Sequence, residues 1–282
     1  GEILLRPDFL EILQRSSKVV GKINLLSNLT LLSPRYVEAL KDFPIGIVST
    51  SIDGLSQVHD TFRGRPGAFQ KTFSNLLQLR DAGIPVKASV TIGNHNLNQA
   101  ADVFALLRHE QIPFSIARIS PVGRGTGLAP DHDEAFHQDY TRLLAEELQR
   151  AISTAEILNA VPPAEVISNH CGVGIDILYV MSDGLVGFCP TLAPFVDGKF
   201  EIGDVTTTSL VDIWDGGRIL SVVSSTCANQ TRCSHGKICR SGCRANAYAL
   251  TGDLEACDIE MKSAFDRLSA EVSNTKLGYP VV

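Results

Sequence analysis

At 282 residues, 44% of them hydrophobic and 20% charged, the chain is long enough for one large or two ordinary domains of roughly 150 residues and apolar enough to fill a core, so disordered and fibrous classes are excluded. A formal net charge of -6 removes the basic footprint of a nucleic-acid binder. No uninterrupted apolar run approaches the ~18–20 residues needed to span a bilayer, so neither nucleic acid nor membrane is an expected partner.

The opening segment, Gly1 to Asp8, has no initiator Met, basic n-region or apolar h-region, and reads as the internal start of a longer protein. Over the first 120 residues two periods alternate. Ile23 to Leu26, Ile45 to Ser51, Val86 to Ile92 and Phe114 to Ile119 are short and apolar, as strands covered on both faces should be. Between them Pro7 to Arg15, Pro34 to Lys41, Ala68 to Ala82 and Asn98 to Glu110 carry apolar residues at three- and four-residue spacing. Phe69, Phe73, Leu76, Leu77 and Leu79 mark the third of these, and Gly83 stops it. Strands separated by single helices imply right-handed crossovers and a parallel sheet or barrel segment.

From Asp131 to Asn159 the pattern is one long helix with Phe136, Tyr140, Leu143, Leu144 and Leu148 on one face, and Pro162-Pro163 breaks the chain after it. Beyond the break, Ile175 to Met181 and Leu185 to Phe188 flank Asp183-Gly184 and read as a hairpin. The remainder reads as loop-rich. The expected architecture is α/β, a partial (β/α) TIM-like barrel over residues 1–130, a helical linker over 131–165 and a loop-rich α+β domain over 166–282. Trp214 is expected to anchor the core of that last domain.

All seven cysteines lie in that last part. The array runs Cys171-x12-Gly184-x4-Cys189, then Cys227-x5-Cys233-x5-Cys239-x3-Cys243, then x13 to Cys257. An odd count in a chain this long, without a secretory signal, argues against a disulfide framework and for metal or redox chemistry in a reducing, cytoplasmic compartment. Structural zinc sites normally open with Cys-x2-Cys, which is absent. Iron-sulfur clusters tolerate wider spacings, because the cluster itself spans the gap between loops. Two cubanes would want eight ligands, so seven cysteines leave either a non-cysteine ligand or an open iron. The seven histidines are scattered without ligand spacing, and only His170 and His235 neighbour cysteines.

The array, with its hairpin Gly184 and terminal Cys257, resembles the SPASM domain of radical S-adenosylmethionine enzymes, except that the usual Cys-x2-Cys opening is here Cys227-x5-Cys233. The resemblance implies two auxiliary 4Fe-4S clusters, with Cys171, Cys189 and Cys243 on the first and Cys227, Cys233, Cys239 and Cys257 on the second. The position of an eighth cysteine in some members falls near Glu165. Gly1 to Phe9 is similar to the family's Gly-Gly-Glu motif, which makes Glu2 the partner of the cosubstrate's ammonium group; a carboxylate at a strand's C-terminal edge suits that task. The segments Ser51 to Gly54, His59-Asp60, Arg63-Gly64 and Pro121 to Gly125 also resemble family signatures. Ser51, at a strand end, is a candidate contact for S-adenosylmethionine or substrate, while Asp53 and Gly54 also suit a simple turn.

The family's defining Cys-x3-Cys-x2-Cys loop, which holds a third 4Fe-4S cluster, occurs nowhere in the 282 residues. The resemblance places it ahead of Gly1 and implies a truncated, by itself inactive, part of the enzyme. It implies an oxidoreductase that abstracts hydrogen with a 5'-deoxyadenosyl radical. The expected substrate is a peptide or protein, the expected reductant a flavodoxin or ferredoxin, and the residue acting directly on substrate is unassigned. The rival reading is a non-catalytic iron-sulfur or zinc protein used for electron transfer or accessory binding.

Overall fold

In a computed structural model the described residues are 2–119, 134–158, 177–192, 200–216, 227–239 and 241–274. The chain divides into two compact units, Gly1–Ile119 and Ser120–Val282.

The first unit is built on four parallel strands in sequential order, β1 (Ile23–Leu26), β2 (Ile45–Ser51), β3 (Val86–Ile92) and β4 (Phe114–Arg118). Helices α1 (Phe9–Ser16), α2 (Pro34–Leu40), α3 (Ser56–Arg63), α4 (Ala68–Asp81) and α5 (Ala100–His109) precede or connect them. Parallel neighbours in sequence order, joined by helices, are the repeating unit of a (β/α) barrel, and this is the expected class. On β3 the residues Val86, Ala88, Val90 and Ile92 are buried, and Lys87, Ser89 and Thr91 are half-buried. This two-residue alternation gives one fully covered face and one more open, polar face. Val103, Phe104 and Leu107 of α5 are fully buried, each worth ~1.5–3 kcal/mol on transfer from water.

Helix α4 departs from the expected apolar stripe. Its innermost residues are Ala68, Thr72, Asn75, Leu76 and Leu79, while Phe69 and Phe73 stack on each other at its half-exposed flank. The two polar residues face a loop with carbonyls to satisfy. Thr72 Oγ1 donates to the Asn28 carbonyl at 2.8 Å and Asn75 Nδ2 to that of Leu29 at 2.6 Å. Leu29 is buried with φ of 59°, a conformation that costs a non-glycine residue ~1 kcal/mol or more, and these bonds hold it there.

The second unit opens on α6 (Glu134–Leu158) and continues with an antiparallel sheet, β5 (Tyr179–Val180), β6 (Leu185–Gly187) and β7 (Glu201–Asp204). The expected hairpin is present, with Gly184 at φ of 96°. A Cβ at Gly184 would lie 2.6 Å from Thr206, so a side chain is excluded on steric grounds as well. The part expected to be loop-rich holds four helices among the described residues: α7 (Leu210–Asp215), α8 (Gly236–Cys239), α9 (Arg244–Thr251) and α10 (Ile259–Asn274). Trp214 is 37% exposed and does not anchor the core; Ile213, at 5%, does, because α7 turns it under Gly203. Helix α10 lies along α6, where Arg267 Nε donates to Thr141 Oγ1 at 3.1 Å and His137 meets Ser263 at 3.2 Å. Among the described residues no helix is long and apolar enough to cross a membrane.

Candidate functional site

In the first unit the candidate residues sit at the C-terminal ends of neighbouring strands, where parallel β/α folds carry their ligands. Glu2 caps a 3-10 turn, Ile3–Leu5, and its carboxylate gathers three donors. Oε1 accepts from Leu4 N at 3.0 Å and Ser27 Oγ at 2.7 Å, and Oε2 accepts from Asn28 N at 2.8 Å. Glu2 therefore ties the first turn to the end of β1, with acceptor capacity left mainly on Oε2. Ser51 ends β2 in register with Ser89 on β3, which is in register with Ser115 on β4, so three serines form a row across three strands. The Ser51 hydroxyl makes no hydrogen bond among the described residues.

Asp53 is far more than a turn former. It is 1% exposed, its Oδ2 accepts from the Arg63 guanidinium at 2.6 Å, and its backbone N–H donates to Nδ1 of His59 at 3.1 Å. Burial raises the Asp53 carboxyl above its ordinary range despite Arg63. Burial, helped by the charge of Arg63, lowers His59 to about 4, so the ring is neutral with Nδ1 as acceptor. Asn96 locks the same edge: its Oδ1 accepts from Gly93 N, and its Nδ2 donates to the carbonyls of Asp53 and Thr91 at 2.9 and 2.8 Å.

In the second unit Cys227, Cys233, Cys239 and Cys257 line one cavity of about 390 Å³, together with Gln230, Ser241, Asp258 and the cationic side chains of Arg232 and Lys262. Cys257 is in hydrogen-bond contact with Cys227, and both Cys257 and Cys233 act electrostatically on Cys239. Burial, followed by Asp258 and these thiols, pushes Cys239 up to about 11. His235 also borders the cavity and pairs with Asp266 at 2.8 Å. Cys189 and Cys243 are separate from this group. Cys189 belongs to the hydrophobic core of Val186, Phe188, Phe200 and Ile213, and Cys243 packs against that core, where Cys189 adds to its cost of ionisation. Burial is the main cause of the raised Cys243 thiol, opposed by the amides of Ala245 and Asn246 at the start of α9. Cys171, Glu165, His170 and the glycine-rich segment 121–125 lie outside the described residues.

Asp258 joins the two thiol groups. It is 2% exposed, follows Cys257 directly, and its Oδ2 accepts from Cys243 N at 2.8 Å while Oδ1 accepts from Met261 N at 3.2 Å at the start of α10. Gly242, at φ of 64°, lets the carboxylate approach; a Cβ there would stand 2.5 Å from the Asp258 Cβ. Ser241 accepts from Cys227 N at 3.0 Å and donates to Gln230 Oε1. The position of Asp258 is legible in retrospect as an N-cap ahead of an amphipathic run; Ser241 has no comparable signal.

The radical SAM superfamily model matches residues 1–107, and the model of the SPASM iron-sulfur cluster-binding domain matches residues 171–244. The chain carries a radical SAM domain and a SPASM domain. Such domains imply 4Fe-4S clusters and S-adenosylmethionine. An AdoMet-dependent heme synthase of Methanosarcina barkeri is 29% identical over 90% of this chain and 78% of its own length. The sporulation killing factor maturation protein SkfB of Bacillus subtilis is 26% identical over 79% of this chain and 53% of its own. In fold, a solved structure of native anSMEcpe with bound AdoMet and Cp18Cys peptide superposes with a TM-score of 0.70 at 16% identity, covering 98% of this chain and 84% of that one.

The thiol groups fit a polynuclear cluster better than a single ion. Among the described residues no three His, Cys, Asp or Glu side chains converge closely enough to hold one metal ion, whereas four thiols surround a cavity. A thiol raised to about 11 stays protonated at neutral pH unless a bound cation compensates its thiolate, which iron would do.

Proposed function

We propose that the chain is the barrel portion and auxiliary-cluster domain of a radical S-adenosylmethionine enzyme that modifies a peptide or protein in the cytoplasm, drawing electrons from a flavodoxin or ferredoxin. Residues 1–130 supply the partial barrel, 131–165 the linker and 166–282 the auxiliary domain. The observation that carries the reading is the cavity ringed by Cys227, Cys233, Cys239 and Cys257, which would hold one 4Fe-4S cluster; Cys189, Cys243 and Cys171 would hold another. Bound cofactor supplies the hydrogen-abstracting radical chemistry. The protein's own part is to receive the cosubstrate's ammonium group at the remaining capacity of Glu2, to offer the free Ser51 hydroxyl, and to keep the sheet edge rigid through Asp53, His59 and Asn96. Maturation proteins such as SkfB support a peptide substrate. A haem precursor is the second reading, favoured by the longer match to the heme synthase.

The test has two stages. Reconstituted anaerobically with iron and sulfide, the 282-residue chain should hold about eight irons, as two cubanes require. It should yield no 5'-deoxyadenosine above background, since its sequence has no Cys-x3-Cys-x2-Cys triplet. Joined to an upstream segment that carries the triplet, it should cleave S-adenosylmethionine, with a mass change appearing either in a supplied peptide or in an iron porphyrin. Stoichiometric zinc without sulfide would favour the non-catalytic reading and sink this one.

A further inference from the structure

Arg244 is the first residue of α9, directly after Cys243. Its Nη1 donates to two carbonyls, Leu254 and Ala256, each at 2.7 Å, and so clamps the loop that delivers Cys257. Its Nε and Nη2 are buried and have no hydrogen-bond partner among the described residues. Three N–H hydrogens of a permanently charged group are therefore withheld from water and unanswered by the described residues. Native structures rarely leave buried charged donors in that state, and a bound ion or a redox role is among the recurring explanations when they do.

Two acidic groups feel this charge, the Asp258 carboxyl and the Cys239 thiol, and both line the thiol cavity. Asp258 already commits its oxygens to the amides of Cys243 and Met261. The remaining anion is the one created when Cys227, Cys233, Cys239 and Cys257 become thiolates around a cluster. A cubane with four thiolates is net negative and gains one more negative charge on reduction, and net charge is one of the protein's levers on cluster potential.

We propose that Arg244 is a positioning residue for electron transfer: the fixed positive charge behind the wall of the Cys227, Cys233, Cys239 and Cys257 cavity, which raises the reduction potential of the cluster bound there. The proposal rests on that ligand set. Because the charge acts more strongly on the more negative, reduced form, its removal should make the cluster harder to reduce. The clamp on Leu254 and Ala256 is a separate, structural role, and the two roles can be parted. Lysine and glutamine both lose the guanidinium fork, but only lysine keeps the charge.

The experiment is a potentiometric titration of the anaerobically reconstituted 282-residue chain with dithionite and viologen mediators, read by electron paramagnetic resonance. Wild type, Arg244→Lys and Arg244→Gln are compared, and repeated with Cys189→Ala to assign the signal to the second cluster. The expected result is unchanged iron and sulfide in all three, with the equilibrium constant for one-electron reduction falling about tenfold in Arg244→Gln, a shift of about 59 mV to more negative potential. Arg244→Lys should stay close to wild type. An unshifted potential in Arg244→Gln, an equal shift in both variants, or an equal loss of iron in both would each overturn the proposal, the last by showing that Arg244 serves only as a clamp. A wild-type chain that takes up no iron and sulfide would overturn the ligand set itself, a failure visible before any variant is compared.

Discussion

Lowering the pH from 6.5 to 4 should loosen the C-terminal edge of β2, and His59→Gln should remove most of that effect. His59 is 2% exposed, and its Nδ1 accepts from Asp53 N at 3.1 Å, so a proton on that nitrogen would set one N–H against another. The carboxylate that could stabilise the cation, Asp53 Oδ2, is 3.6 Å away and already bonded to Arg63, whose own charge opposes protonation, while Asp60 weakly favours it. The folded ring titrates at about 4 against 6.5 when exposed, so the unfolded segment binds the proton first as pH falls. Stability is therefore complete above about 6.5 and lost progressively down to about 4, at up to ~1.4 kcal/mol per pH unit and ~3 kcal/mol in all. Asp53 works the other way, because its raised carboxyl is relieved on protonation, and it trims the loss at the acid end. The assay is amide hydrogen exchange of residues 45–53 in wild type and His59→Gln, compared at each pH so that intrinsic exchange cancels. A protection ratio that does not change between pH 6.5 and 4 would refute the argument.

Asn96→Ala should lower global stability by ~2–4 kcal/mol in urea denaturation, since it leaves the Gly93 amide and two strand-end carbonyls unanswered. Gly242→Ala should reduce iron retention on challenge with a chelator far more than Gly252→Ala; both have positive φ, but only Gly242 presses on Asp258, and Gly252 has nothing within 4 Å. Ser241→Ala should raise protease cleavage near Cys227 by taking from its amide the Ser241 acceptor, at a cost of ~1–3 kcal/mol, whereas Ser234→Ala at the exposed rim should be silent.

The strands and helices of the first unit were legible because their periods differ, and the observed bounds of β1, β2 and β3 coincide with the apolar runs in the sequence. Helix α3 was not, because Ser56 to Arg63 buries little beyond His59 and so lacks an apolar stripe. The inward face of α4 departs from the apolar stripe for a related reason: Thr72 and Asn75 point inward to serve backbone carbonyls, an obligation that hydrophobic periodicity does not register. In the second unit the cysteines masked the helices. Gly236–Cys239 is a single turn opening on glycine, while Arg244–Thr251 and Ile259–Asn274 start directly after Cys243 and Asp258, residues of low helix propensity that blur where each helix begins.

The spacing Cys239-x3-Cys243 shows what spacing alone leaves open. On one continuous helix, residues four apart share a face and would offer both thiols to the same metal. Here the helix is interrupted between them: α8 ends at Cys239, α9 begins after Cys243, and Ser241 and Gly242 both take positive φ, 76° and 64°. Two successive left-handed residues reverse the direction in which the next side chain leaves the backbone. Cys239 consequently faces Cys233 and Cys257, while Cys243 faces Cys189. The left-handed Ser241 is held by Cys227 N and Gln230, and the amide of Cys243 by Asp258, so the reversal is fixed from both sides. One five-residue segment thereby serves two thiol groups, and any change that straightens it acts on both.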